Sequence, residues 1–96
     1  MRLTGKAKKL FEEWFVKNID YDIHSFYRLP ESMQFGVYQD WADSLGYELY
    51  VDKNTPISFG WGLFYLIKEI DSGDLKTRQE ARNAALKKLN DLINEK

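Results

Sequence analysis

The hydrophobic period of this chain changes at Gly46-Tyr47 and changes back at Thr77, and those two switches constrain the fold more than any single motif. Before the first switch, Ala7, Leu10, Phe11, Trp14 and Phe15, and later Met33, Val37, Tyr38, Trp41, Ala42 and Leu45, recur every three or four residues. After it, Tyr47, Leu49 and Val51 alternate with Glu48, Tyr50 and Asp52. From Thr77 onward the helical spacing returns in Ala81, Ala84, Ala85, Leu89, Leu92 and Ile93. A period near 3.6 makes one apolar helix face, and a period of two makes one apolar strand face. Helices, then strands, then a helix describe an α+β domain.

Local chemistry sets the limits of the helices. Thr4 is placed to cap a first helix running to about Lys17, with Lys8, Lys9, Glu12 and Glu13 opposite the apolar face and Asn18 as the stop. Between Ile19 and Leu29 the pattern fits either a short helix or a loop that tucks Ile19, Ile23, Phe26 and Tyr27 into the core. Pro30 holds Leu29 extended and suits the first turn of a second helix, where its missing N–H costs nothing. Gly46 supplies a left-handed cap after Leu45, with Tyr47 closing the terminus. Gly36 lies inside this second helix at a cost of about 0.5–1 kcal/mol, for which close contact with another element is the simplest reason. The last helix opens on a capping box, Thr77 with Glu80, and its alanines let it lie close to what it covers.

In the alternating segment, Lys53-Asn54-Thr55-Pro56 reads as a turn. A second strand then sets Phe59, Trp61, Leu63, Tyr65 and Ile67 against Gly60, Gly62, Phe64, Leu66 and Lys68. Large residues on both sides mark it as central or covered. Gly60 and Gly62 on one face suggest a bulge or a group lying flat there. Asp71-Ser72-Gly73-Asp74 reads as a turn, with Leu75-Lys76 adding a few residues of a third strand. The expected architecture is two N-terminal helices, a small antiparallel sheet of two or three strands, and a C-terminal helix packed on it.

With 96 residues and no linker or repeat, one domain spans 1–96. Aromatic residues are 16% of the chain and each can bury about 150–250 Å², so a core is within reach without metal or disulfide. There is no cysteine, which excludes thiol chemistry and fits a cytoplasmic protein. The charged start Met1 to Lys9 is followed by no apolar stretch of signal length, and the longest apolar run, Leu63 to Ile67, is too short to span a membrane. A net charge of −1 gives no general attraction to nucleic acid or anionic lipid. No phosphate loop, nucleophile elbow or carboxylate pair is present, and Gly60-Trp61-Gly62 leads to no helix. Asp20, Asp22 and His24 would share one side of an extended stretch, but a metal site needs a defined set of three or four ligands, and a polar loop is the simpler reading. The expectation is no enzyme, no cofactor and no metal.

Two binding surfaces remain. Lys76, Arg78 and Arg82, with Lys87 and Lys88 further along, place positive charge at the start of the last helix, where it opposes the helix dipole and suits phosphate. Lys76-Thr77-Arg78-Gln79-Glu80-Ala81-Arg82-Asn83-Ala84-Ala85 resembles the final helix of a double-stranded-RNA-binding domain, although Glu80 falls within the patch and two helices precede the sheet. A solvated helix face explains the same residues. Aromatic side chains crowd the small sheet, and Tyr50, Phe59, Trp61 and Tyr65 are the candidates for an aromatic interaction surface if one face is left open. Open sheet edges would also allow a homodimer beside a monomer.

Ser32-Met33-Gln34-Phe35-Gly36-Val37-Tyr38-Gln39-Asp40-Trp41-Ala42-Asp43-Ser44-Leu45-Gly46, with Thr77 to Ala85 downstream, resembles a group of short uncharacterised proteins of gut bacteroidete genomes and their phages or prophages. That resemblance runs from Leu3 to the last helix and implies a small accessory protein of mobile-element origin that acts by binding. It carries no activity and no site residues. The sequence therefore favours a non-enzymatic module for an unidentified protein partner, with nucleic acid as the alternative partner and no membrane.

Overall fold

The computed structural model describes residues 2–96 and has the α+β architecture. Its elements are α1 (Gly5–Asn18), α2 (Ile23–Phe26), α3 (Glu31–Ser44), β1 (Tyr47–Thr55), β2 (Ser58–Tyr65), β3 (Lys68–Leu75) and α4 (Arg78–Asn94). The three strands form an antiparallel meander with β2 in the centre.

Both period switches fall where the backbone changes. Gly46 stands between α3 and β1 at a φ of 87°, which a side chain would resist. Tyr47 and Leu49 point inward from β1 and meet Leu63 of β2, Phe11 and Phe15 of α1, Tyr38 and Trp41 of α3, and Leu86, Leu89 and Ile93 of α4 in one core. Phe11 is the hub, with ring centroids of Tyr38, Trp41 and Phe26 at 4.7, 5.4 and 5.5 Å. Ala81 and Ala85 are fully buried, so α4 lies close on the sheet and spans all three strands.

Several expectations need correction. The segment from Phe59 to Lys68 is not one strand: the chain reverses at Leu66-Ile67, and Asp71-Ser72-Gly73-Asp74 lies inside β3 rather than in a turn. The third strand is therefore Lys68–Leu75, not a few residues at Leu75-Lys76. Residues 53–55 continue β1 instead of turning. Gly73 is explained by packing, because its Cα faces the indole of its cross-strand partner Trp61, whose Nε1 would lie 2.8 Å from a Cβ there.

In α3 the buried face is Gln34, Phe35, Tyr38, Trp41 and Ala42, whereas Met33 and Leu45 are exposed. Gln34 is buried because its amide donates to the carbonyls of Tyr27 and Leu29 at 3.2 and 2.9 Å and so ties α2 to α3. Pro30 is the residue before α3 rather than its first turn. Gly36 has nothing within 4 Å of a Cβ position, so close packing does not account for it. Thr4 occupies the cap position of α1 but makes no capping bond with its side chain. Half of the capping box of α4 forms as the sequence implies, Glu80 N donating to Thr77 Oγ1 at 3.1 Å, but the Glu80 carboxylate accepts from the Thr77 hydroxyl at 3.0 Å rather than from its backbone N–H.

Candidate functional site

All the packed helices lie on one side of the sheet, and the residues of the other side take no part in the core. The alternation that sends Tyr47 and Leu49 inward sends Glu48, Tyr50 and Asp52 outward. Register then builds the open face row by row, since directly paired residues share a face. Glu48, Phe64 and Glu69 form the first row, Tyr50, Gly62 and Ser72 the second, and Asp52, Gly60 and Asp74 the third. Four carboxylates thus mark the corners of a small platform.

At its centre, Tyr50 lies flat over Gly62, leaving no room for a Cβ, and its ring stands 5.7 Å from that of Phe64 at an interplanar angle of 30°. Asn54 lies over Gly60 in the same way, and its amide donates to Asp74. The two glycines that share a face are therefore explained by groups lying flat on them, as the sequence suggested.

The four aromatic candidates do not form one surface. Tyr50 is on the open face, while Phe59, Trp61 and Tyr65 are in register with the inward residues Lys53, Val51 and Tyr47. Phe59 carries the Arg78 guanidinium 4.9 Å above its ring, Trp61 packs against the core across Gly73, and Tyr65 stands 4.9 Å from Tyr47. Phe64, which crowds the same strand, is the aromatic that joins Tyr50.

The basic candidates are dispersed too. Lys87 follows Arg78 by nine residues, roughly half a turn around the helix, so the two point to opposite sides. Arg82 donates to Gln79 Oε1 at 3.3 Å, Lys87 pairs with Asp91 at 2.7 Å, and Lys88 reaches Asp71 of β3 at 3.7 Å. The Lys87 hydrogen bond holds the exposed Asp91 carboxyl below its usual range. Lys76 lines a shallow depression together with Asp74 and Glu80.

Asp20, Asp22 and His24 are not set along one extended stretch, because a helical turn begins at Ile23. The Asp22 carboxylate accepts from Ser25 N at 2.9 Å and from Ser25 Oγ at 3.1 Å, and the backbone bond pulls its pKa down. Among the described residues no cluster of three or more histidine or carboxylate side chains could hold a metal ion. No helix among them is long and apolar enough to cross a membrane.

A buried polar group stands apart from these sites. Tyr38 is fully buried, and its hydroxyl has no hydrogen-bond partner among the described residues, whereas Tyr27 Oη donates to Glu12 at 2.8 Å. Burial pushes the Tyr38 phenol up to about 12, with Arg2 opposing the rise and Glu12 and Glu31 adding to it.

Comparison with protein-family models, curated proteins and solved structures gives no match, so the chemistry of these surfaces carries the functional argument.

Proposed function

We propose that this domain is a non-enzymatic interaction module whose open sheet face docks a positively charged protein surface. The observation that carries the reading is the platform itself: Tyr50 and Phe64 together, framed by Glu48, Asp52, Glu69 and Asp74. Aromatic faces accept Lys and Arg side chains through cation–π contact, and carboxylates around them add attraction and orientation. Because the whole chain is only −1, this concentration of negative charge is local. It makes a binding site rather than a generally acidic surface. The small accessory role implied by the phage-like resemblance belongs to the same reading.

The nucleic-acid alternative has weaker support. Its basic residues divide around α4, and two of the five, Lys87 and Lys88, already have carboxylate partners, while the open aromatic face would meet phosphate with four like charges.

Capture from a cell lysate, with and without nuclease, separates the two. The wild-type domain is compared with Glu48→Lys/Asp52→Lys and with Arg78→Ala/Arg82→Ala. The expected result is a protein retained after nuclease by the wild type and the arginine variant and lost by the charge-reversed one. Retention that depends on nucleic acid and on Arg78 and Arg82 would replace this reading with the alternative.

A further inference from the structure

The β2–β3 hairpin ends in two residues that solvent-facing turns ordinarily avoid. Leu66 has a φ of 58°, a left-handed conformation that favours Gly, Asn or Asp, and is 69% exposed; Ile67 is 97% exposed. Leu66 N donates to Gly46 O at 2.9 Å, and the Leu66 and Tyr65 side chains face Gly46, so the tip is held against the end of α3. Leu45 beside Gly46, Tyr65, and Ile70 at the bulge of β3 are each about two-fifths exposed and extend the apolar surface. Together these five side chains offer an area on the order of 500 Å².

The charges bordering this patch are segregated. On the helix side stand Lys68, the cross-strand partner of Tyr65, and Lys96, whose Nζ donates to Tyr47 Oη at 2.8 Å. On the open side stand Glu48 and Glu69, which flank Phe64 in register. A two-fold axis in the plane of the sheet and across the strands would lay one patch on another. It would set the lysine border of each copy against the glutamate border of its mate. An anionic bilayer would instead press Glu48 and Glu69 against phosphate.

We infer that the Leu66-Ile67 tip is the centre of a two-fold interface with a second copy of this chain. The contact is isologous, with Ile67 buried against the same residues of the mate and Lys68 facing Glu48 and Glu69 across the border. The area from two copies, on the order of 1,000 Å², lies at the low end of specific interfaces, where weak and transient contacts are found, so the dimer is expected to depend on concentration. Glu48 and Glu69 also form the tip-side row of the open sheet platform, so the two surfaces share that edge, but the test of the dimer needs no other partner.

Sedimentation velocity from about 1 µM to 500 µM, a range chosen to bracket micromolar affinity, reads it directly. The wild-type chain shifts from monomer to dimer with concentration. Ile67→Ser, a change at a fully exposed position, raises the dissociation constant by at least about tenfold while the far-ultraviolet spectrum stays that of the folded domain. Lys68→Glu weakens the dimer, because it sets like charges across the border. A wild-type chain monomeric throughout, or a dimer indifferent to Ile67→Ser, overturns the proposal. A dimer indifferent to Lys68→Glu overturns the placement of the axis.

Discussion

Tyr38 sits among aromatic rings, 4.7 Å from Phe11 and 5.6 Å from Phe26 between centroids, with a hydroxyl that bonds to none of the described residues. Its ring contributes to the core, but its oxygen has lost water without a replacement, a loss that typically costs about 1–3 kcal/mol. Tyr38→Phe keeps the ring and removes the burden. The expected gain is about 1 kcal/mol, seen as a rise in melting temperature of roughly 5 °C. A melting temperature that falls instead would mean that the hydroxyl is held by a partner in solution. Leu66 is the opposite kind of residue, strained rather than unsatisfied. Its left-handed backbone costs about 1–2 kcal/mol, and a fold keeps such a cost only where the surroundings impose it. The imposing group is Gly46, whose carbonyl takes the Leu66 N–H.

Elements are joined here by asparagines from the far end of the chain. Helix α1 begins without a side-chain cap of its own: Ala7 N donates instead to Asn94 Oδ1 at 2.8 Å, and Thr4 N donates to Asn90 Oδ1 at 2.8 Å. The end of α4 thus caps the start of α1. Asn94→Ala should cost about 1 kcal/mol, comparable with Thr77→Ala in the local capping box, as read from denaturant midpoints at unchanged slope. A loss for Thr77→Ala with none for Asn94→Ala would show that α1 does not depend on its distant cap. The contrast also marks what could be read from sequence. The Thr77–Glu80 box lies within three residues and was legible; the Asn94–Ala7 bond joins positions 87 residues apart and leaves no local pattern. The helical and strand periods identified the architecture, but the β2–β3 turn was missed because Leu66-Ile67 contains no turn residue. Asp71-Ser72-Gly73-Asp74 misled for the reverse reason. Its turn-like residues serve the sheet, Gly73 beneath Trp61, Asp71 facing Lys88 and Asp74 bonded to Asn54. Of the open platform, Tyr50 was legible from alternation alone. Its partnership with Phe64 and the four carboxylate corners depends on register, which the misplaced turn hid.

At the scale of the whole molecule, placing the packed helices on one side of a three-stranded sheet makes one core responsible for the fold and leaves the opposite face uncovered by the described residues. That core carries titratable groups with a consequence for alkaline stability. Burial raises the phenol pKa of Tyr27 and Tyr38, and in Tyr27 the hydrogen bond to Glu12 adds to it. Both phenols ionise near 10 once the chain unfolds. Since the folded state holds its protons to higher pH, the stability linked to them is fully present below pH 10 and is lost as pH rises through the folded values. For Tyr38 the window runs from 10 to about 12, and the stability lost across it is about 3 kcal/mol. Tyr27 is only partly buried, so solvent screening narrows the pH window over which it contributes. Lys96, whose pKa is raised by its hydrogen bond to Tyr47, weakens in the same direction. The wild type alone therefore cannot assign the loss. The difference between wild type and Tyr38→Phe can: their stabilities, measured by urea unfolding between pH 8 and pH 11.5, should diverge above pH 10 as the wild type loses the Tyr38 share. Curves that stay parallel across that range would mean that the Tyr38 hydroxyl reaches solvent, and that the core is more open around α3 than its packing implies.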